Sequence, residues 1–293
     1  MNRALLAVTI VAITLLGLVP SYGPTAEANG SAPAYPNASG SPRTFTWISC
    51  VTPELAAWAK NLSFTDVVVC NSSTYGYECL EAENITYWFC VSCYGFRGRD
   101  VTSVANAEEA ILSYAQSSPN GHVYFDDLQY ILGAYGVAYC NNFLNAIRNL
   151  EQDGYQFGID AYLAYGYTYY ESFGLLNLTD LDIDIYQYPS ESYAAIVLPV
   201  LKANAQSIGL CVWAYGCDGC CGLRALPWNL MTSDYLDLVY GQAETYCASR
   251  VHVWDGSSPT SGKPCMDNAC LYSYPQWWDK VRAENLKFLE STK

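Results

Sequence analysis

The sequence predicts a (β/α)₈ barrel, a closed parallel sheet wrapped by helices, and three observations predict it. From Thr44 onward, eight short apolar or β-branched runs alternate with stretches of helical periodicity, the pattern of βα units. The length from Thr44 to Lys293 suits a single barrel domain. In the later runs, acids and aromatic rings keep one parity and aliphatic residues the other, so the two faces of each strand differ in kind.

The runs are Thr44–Cys50, Asp66–Asn71, Ile85–Ser92, His122–Asp127, Gln156–Tyr162, Asp182–Tyr188, Gly209–Tyr215 and Leu238–Glu244. Between them, apolar spacing near 3.6 predicts helices over Pro53–Asn61, Val104–Gln116, Val137–Gln152, Ser190–Gln206 and Gln276–Glu290. Thr52 before Pro53 and Ser190 before Glu191 supply N-cap side chains. The connections after the second, fifth and seventh runs are short or irregular for helices. A half-solvated antiparallel sheet would also alternate. The long intervening stretches and the scarcity of tight hairpin signals argue against it.

Parity assigns the faces. Tyr124 and Asp126 oppose Val123 and Phe125; Asp160 and Tyr162 oppose Ile159 and Ala161; Asp182, Asp184, Tyr186 and Tyr188 oppose Ile183, Ile185 and Gln187. Trp213 and Tyr215 oppose Val212 and Ala214, and Tyr240, Gln242 and Glu244 oppose Val239, Gly241 and Ala243. With the aliphatic face against the helices, the carboxylates and rings point into the barrel. Chemistry in such barrels sits at the C-terminal ends of the strands.

Composition narrows the classes of function. Fourteen basic residues against 28 acidic ones leave a charge of −14 with no basic cluster, which excludes nucleic-acid binding. The uncharged run Ala4–Val19 after Arg3 reads as a secretory signal over residues 1–23, too short for a membrane span, with a Gly-, Ala-, Ser- and Pro-rich leader over residues 24–43. The barrel domain then occupies residues 44–293. No membrane contact is expected after signal removal. Six Asn-x-Ser/Thr sequons, at Asn29, Asn37, Asn61, Asn71, Asn84 and Asn177, fit an exported glycoprotein.

Thirteen cysteines in such a chain predict a disulfide-stabilised fold with at least one thiol left over. Cys90-x-x-Cys93 with Cys217-x-x-Cys220-Cys221 is the competing four-thiolate metal pattern, and in an exported chain disulfides are preferred, so no metal is assigned. His122 and His252 stand alone, and neither a Gly-x-Ser-x-Gly elbow nor a P-loop occurs. Esterase, kinase and nucleotide-binding functions fall away, and no cofactor is expected.

The string Gly121-His122-Val123-Tyr124-Phe125-Asp126-Asp127-Leu128-Gln129-Tyr130 resembles the fourth strand of secreted TIM-barrel glycoside hydrolases and related families. The resemblance implies Asp126 as the first candidate catalytic acid or nucleophile and Asp127 as the next. It departs from the chitinase pattern, since no Asp-x-Asp-x-Glu series ends the strand. The residues support the same chemistry independently, because cleaving a glycosidic bond takes two carboxyl groups. The expected pair is Asp126 with Glu244, with Asp184 as the alternative partner; Asp182 is expected to be structural. Asp127, Asp160, Tyr162, Tyr188 and Trp213 are candidates for holding substrate, since flat amphipathic rings suit the C–H faces of sugars. The expected partner is a polysaccharide or oligosaccharide. Two simpler readings compete: a buried Asp–Tyr network that only specifies the core, and a non-catalytic carbohydrate-binding or cell-envelope protein on the same barrel.

Overall fold

The computed structural model describes residues 41–48, 51–70, 76–96, 98–162, 172–186, 191–213, 233–254, 271 and 275–291. The expected signal and leader up to residue 40 lie outside them. Eight strands close a parallel barrel in sequence order: β1 (Arg43–Ile48), β2 (Asp66–Val69), β3 (Thr86–Ser92), β4 (His122–Asp126), β5 (Gln156–Tyr162), β6 (Asp182–Tyr186), β7 (Ser207–Trp213) and β8 (Arg250–Trp254). The helices are α1 (Pro53–Asn61), α2 (Tyr77–Ala82), α3 (Val104–Ala115), α4 (Gln129–Gln152), α5 (Glu191–Asn204), α6 (Ser233–Thr245) and α7 (Trp278–Glu290).

Local chemistry starts α1 and α3. The Thr52 hydroxyl accepts the Leu55 N–H at 3.2 Å ahead of Pro53, and the Ser103 hydroxyl accepts the Asn106 N–H at 3.2 Å. α4 begins eight residues before the predicted start. Gly136, at φ 80°, breaks the helix geometry and hides the periodicity of its first two turns from a sequence reading.

The eighth strand is a correction. Leu238–Glu244 lies within α6, where the buried positions Leu236, Val239, Tyr240 and Ala243 recur at helical spacing. The strand that closes the sheet is Arg250–Trp254, pairing with β7 through Cys211 and His252 and with β1 through Phe45 and His252. The other seven strands form where they were expected, with ends displaced by at most two residues or so.

Apolar side chains of the strands, such as Val67, Val123, Phe125, Ile183 and Val251, pack outward beneath the helices in the main core. Phe45, Trp47, Val68, Trp88, Tyr124 and Cys211 fill the barrel interior as a separate cluster. Deeper polar groups fix that interior. Asp184 accepts the Tyr124 hydroxyl at 2.7 Å and the Arg250 Nε at 2.7 Å, and the His252 Nε2 lies 2.8 Å from the same carboxylate as an ion-pair contact. Trp47 Nε1 donates to His252 Nδ1 at 3.4 Å, which leaves the His252 proton on Nε2, facing Asp184. Gly158 and Gly209 make room for this network, because a Cβ at either position would overlap the Tyr124 ring or the Asp184 carboxylate.

No disulfide joins the seven described cysteines, Cys70, Cys79, Cys90, Cys93, Cys140, Cys211 and Cys247. The other six lie outside the described residues. The described sequon asparagines, Asn61, Asn84 and Asn177, are all exposed. Among the described residues, no helix is long and apolar enough to cross a membrane.

Candidate active site

Three carboxylates meet at the C-terminal ends of β4 and β5. The β4–β5 register pairs Phe125 with Ile159, so Asp126 and Asp160 occupy the next matching positions with side chains on the same inner face. Neighbouring strands stand about 4.8 Å apart, and two side chains placed in this way must touch. Asp127 should point the other way by alternation. Its backbone is left-handed instead, at φ 68°, and this turns it back toward the other two. One oxygen from each of Asp126, Asp127 and Asp160 lies within 4.8 Å of the others.

Hydrogen bonds hold the cluster in shape. Asp160 Oδ1 accepts the Asp127 backbone N–H at 2.7 Å, and the Asp160 carbonyl accepts the Leu128 N–H at 2.8 Å. Gln129 Nε2 donates to Asp127 Oδ1 at 2.5 Å. The second carboxylate oxygen of fully buried Asp160, Oδ2, has no hydrogen-bond donor among the described residues. A proton shared with Asp126 would satisfy it.

Three acids in so small a space cannot all be charged. Burial, reinforced by the Asp127 charge and opposed by a hydrogen bond to Asp160, pushes Asp126 up to about 8. Burial raises Asp127 as well, against the Gln129 hydrogen bond, which favours its anion. Asp160 is raised well above the carboxylate range by burial and then by Asp126 and Asp127. At neutral pH the cluster therefore holds protons, with Asp126 a ready proton donor. Asp127 is the member best arranged to carry charge. The same oxygens form a donor set of the hard type that divalent cations such as Ca²⁺ or Mg²⁺ take.

The other expected site residues fall elsewhere. Glu244 is a correction: it sits near the end of α6, exposed to solvent, and pairs with Lys287 of α7 at 2.8 Å, outside the barrel. Asp184 does point inward, but it is fully engaged by Tyr124, Arg250 and His252 deeper in the barrel. Burial alone would raise its pKa, yet Arg250 and His252 hold it well below the carboxylate range, so it stays an anion committed to its partners. Asp126, Asp184 and Glu244 thus do not converge. Asp182 starts β6, at the end of the strand away from the acid cluster, and pairs with Arg250 at 2.7 Å. Tyr162 and Trp213 end β5 and β7, and their side chains, like the whole of Tyr188, lie outside the described residues.

Sequence reasoning missed Arg250 and His252, because the eighth strand was placed one element too early. The signal was present in Arg250-Val251-His252-Val253-Trp254, a strict alternation of polar or aromatic residues with valines. A cavity of about 460 Å³ is lined by Arg43, Phe45, Trp88, Tyr124, Asp182 and Arg250, residues in the N-terminal halves of their strands, and is thus distinct from the acid cluster.

No family model and no curated protein sequence matches the chain. Solved structures match its fold. One is a candidate α-L-fucosidase from Bacteroides thetaiotaomicron, at 11% identity and TM-score 0.53, covering 90% of this chain and 99% of its own. A family 5 glycoside hydrolase from Prevotella bryantii, solved with a xyloglucan tetradecasaccharide, matches at 11% identity and TM-score 0.46 over 83% of this chain and 87% of its own. A family 18 chitinase from Flavobacterium johnsoniae matches at 9% identity and TM-score 0.46 over 85% and 95%. At 11% identity, the similarity to the first of these is one of barrel architecture.

Proposed function

We propose that this chain is an exported glycoside hydrolase whose active centre is the Asp126, Asp127 and Asp160 cluster. The observation that carries the reading is the convergence of three carboxylates where β4 and β5 end; burial and the Asp127 charge, which push Asp126 up to about 8, suit it to the role of acid. Asp126 protonates the leaving glycosidic oxygen. Asp127, turned inward by its left-handed backbone and supported by Gln129, is the anion that attacks the sugar carbon or activates water. Asp160 is too buried to touch a substrate; it positions Asp127 through the backbone hydrogen bond and shares the Asp126 proton. Tyr162, Tyr188 and Trp213 would supply the stacking surface around this centre. The mature chain begins after residue 23, and N-terminal sequencing of the exported protein checks that boundary.

The test is reducing-end release from a panel of polysaccharides by the wild-type protein and by Asp126→Asn, Asp127→Asn and Asp160→Asn. Release by the wild type with a loss of about 10²–10⁴-fold in Asp126→Asn is expected for a lost general acid. Equal release by wild type and Asp126→Asn removes Asp126 from the chemistry. The competing reading, a non-catalytic carbohydrate-binding barrel, gains from the absence of Glu244 from the mouth. Retention on a polysaccharide column without release by any form would establish it.

A further inference from the structure

Two cysteines repeat the geometry that brings the acids together. The β2–β3 register pairs Val68 with Trp88 and Val69 with Phe89, so Cys70 and Cys90 are the next matched positions on adjacent parallel strands. Both share the parity of Val68 and Trp88, and both pack against the interior cluster those residues belong to. Register partners on neighbouring strands have Cα atoms about 4.8 Å apart, inside the 4.4–6.8 Å range that a disulfide spans. The two thiols lie within hydrogen-bonding reach of each other, and both residues are half-buried. Cys90 is level with Tyr124, two residues before Asp126 on the adjacent strand. None of the chemistry proposed above uses either sulfur.

We propose that Cys70 and Cys90 are a cross-strand redox pair that closes to a disulfide in the wall of the barrel mouth. The co-reactant is a low-molecular-weight disulfide such as oxidised glutathione. The Cys70 thiol loses its proton to solvent, and the thiolate attacks one glutathione sulfur. The glutathione S–S bond breaks, and one glutathione leaves as thiolate and takes up a proton. The Cys90 thiol then loses its proton to solvent and its thiolate attacks Cys70 Sγ in the mixed disulfide, forming the Cys70–Cys90 bond, breaking the Cys70–glutathione bond and expelling the second glutathione as a thiolate that takes up a proton. Two protein thiols are oxidised and one glutathione disulfide is reduced to two thiols. The pair stands independently of the hydrolase reading.

The experiment is peptide mapping of the folded full chain after equilibration with oxidised glutathione, alkylation in denaturant and cleavage after glutamate without reduction. Cleavage at Glu54, Glu78, Glu83 and Glu108 puts Cys70 on residues 55–78 and Cys90 with Cys93 on residues 84–108, while Cys79 is released on a separate fragment by the cut at Glu81. The expected result is a 55–78/84–108 linked pair in wild type and in Cys93→Ser, and its loss in Cys90→Ser. Alkylation of both Cys70 and Cys90 in the oxidised wild type would overturn the proposal. So would a linked pair that persists in Cys90→Ser, or one that disappears in Cys93→Ser while that variant keeps the wild-type circular dichroism.

Discussion

At the scale of single residues, the interior is decided by whether each buried charge has a partner. Asp184 has three, and its neighbour across the sheet, Gly209, is small so that its carboxylate can fit. Replacing Arg250 with Met leaves Asp184 buried with only His252 and Tyr124 to answer its charge, and it removes one partner each from Ser207 Oγ and Asp182, which stay bonded to each other. The expected cost is about 3–5 kcal/mol, read as a fall in the midpoint of urea unfolding without a change in slope. Gly158→Ala should cost roughly 1–3 kcal/mol by the same measurement, because its new methyl group overlaps the Tyr124 ring, which has to shift and disturb its bond to Asp184. A midpoint unchanged in both variants would mean that the inward network is not what holds the barrel centre.

At the scale of elements, the sequence and the structure part company over one helix and one strand. Several of the seven strands were legible because they carry a β-branched run, as Val67-Val68-Val69 and Ile183-Asp184-Ile185 do. The stretch from Leu236 to Ala243 carries Leu, Val and Tyr, residues that suit either strand or helix. Only the buried spacing of three and four residues marks it as α6. That one misreading moved Glu244 from the outer surface into the proposed site and hid Arg250 and His252. The convergence of Asp126 with Asp160 was half legible: parity predicted the face, but the register that sets them side by side comes from tertiary pairing. The inward turn of Asp127 rests on a positive φ, which no residue pattern in the chain announces. The difference is testable at Glu244 itself. Glu244→Gln removes an exposed pair with Lys287, so stability should change by no more than about 0.5 kcal/mol. Any polysaccharide hydrolysis should be unchanged, whereas a loss comparable to that of Asp126→Asn would return Glu244 to the catalytic pair.

At the scale of the whole molecule, the acid cluster makes folding depend on pH in a direction opposite to that of an ordinary acidic protein. A carboxyl group whose folded pKa is raised from about 4 to about 8 binds a proton in the folded state that the unfolded chain has already released. Its stabilising contribution is complete below about pH 4 and is lost as pH rises through 8. Glu151, raised to about 7 by burial and by Asp182 against the pull of Arg148, acts in the same sense. Asp184 acts in the opposite sense, since its depressed pKa gives stability above about pH 4 that is lost only on acidification. His122, lowered chiefly by burial, also favours the folded state at higher pH, as pH climbs toward its unfolded value near 6.5. Background terms from the net charge of −14 and from the thiols remain, so the informative quantity is a difference between two proteins that share them. Thermal midpoints of wild type and Asp126→Asn, measured from pH 5 to 9, should diverge steadily: wild type loses stability relative to the variant up to about pH 8, and the gap is constant above it. Two parallel curves would show that Asp126 is ionised in the folded protein at neutral pH. A group without a proton to give could not act as the acid, and the proposed division of labour between Asp126 and Asp127 would have to be reversed.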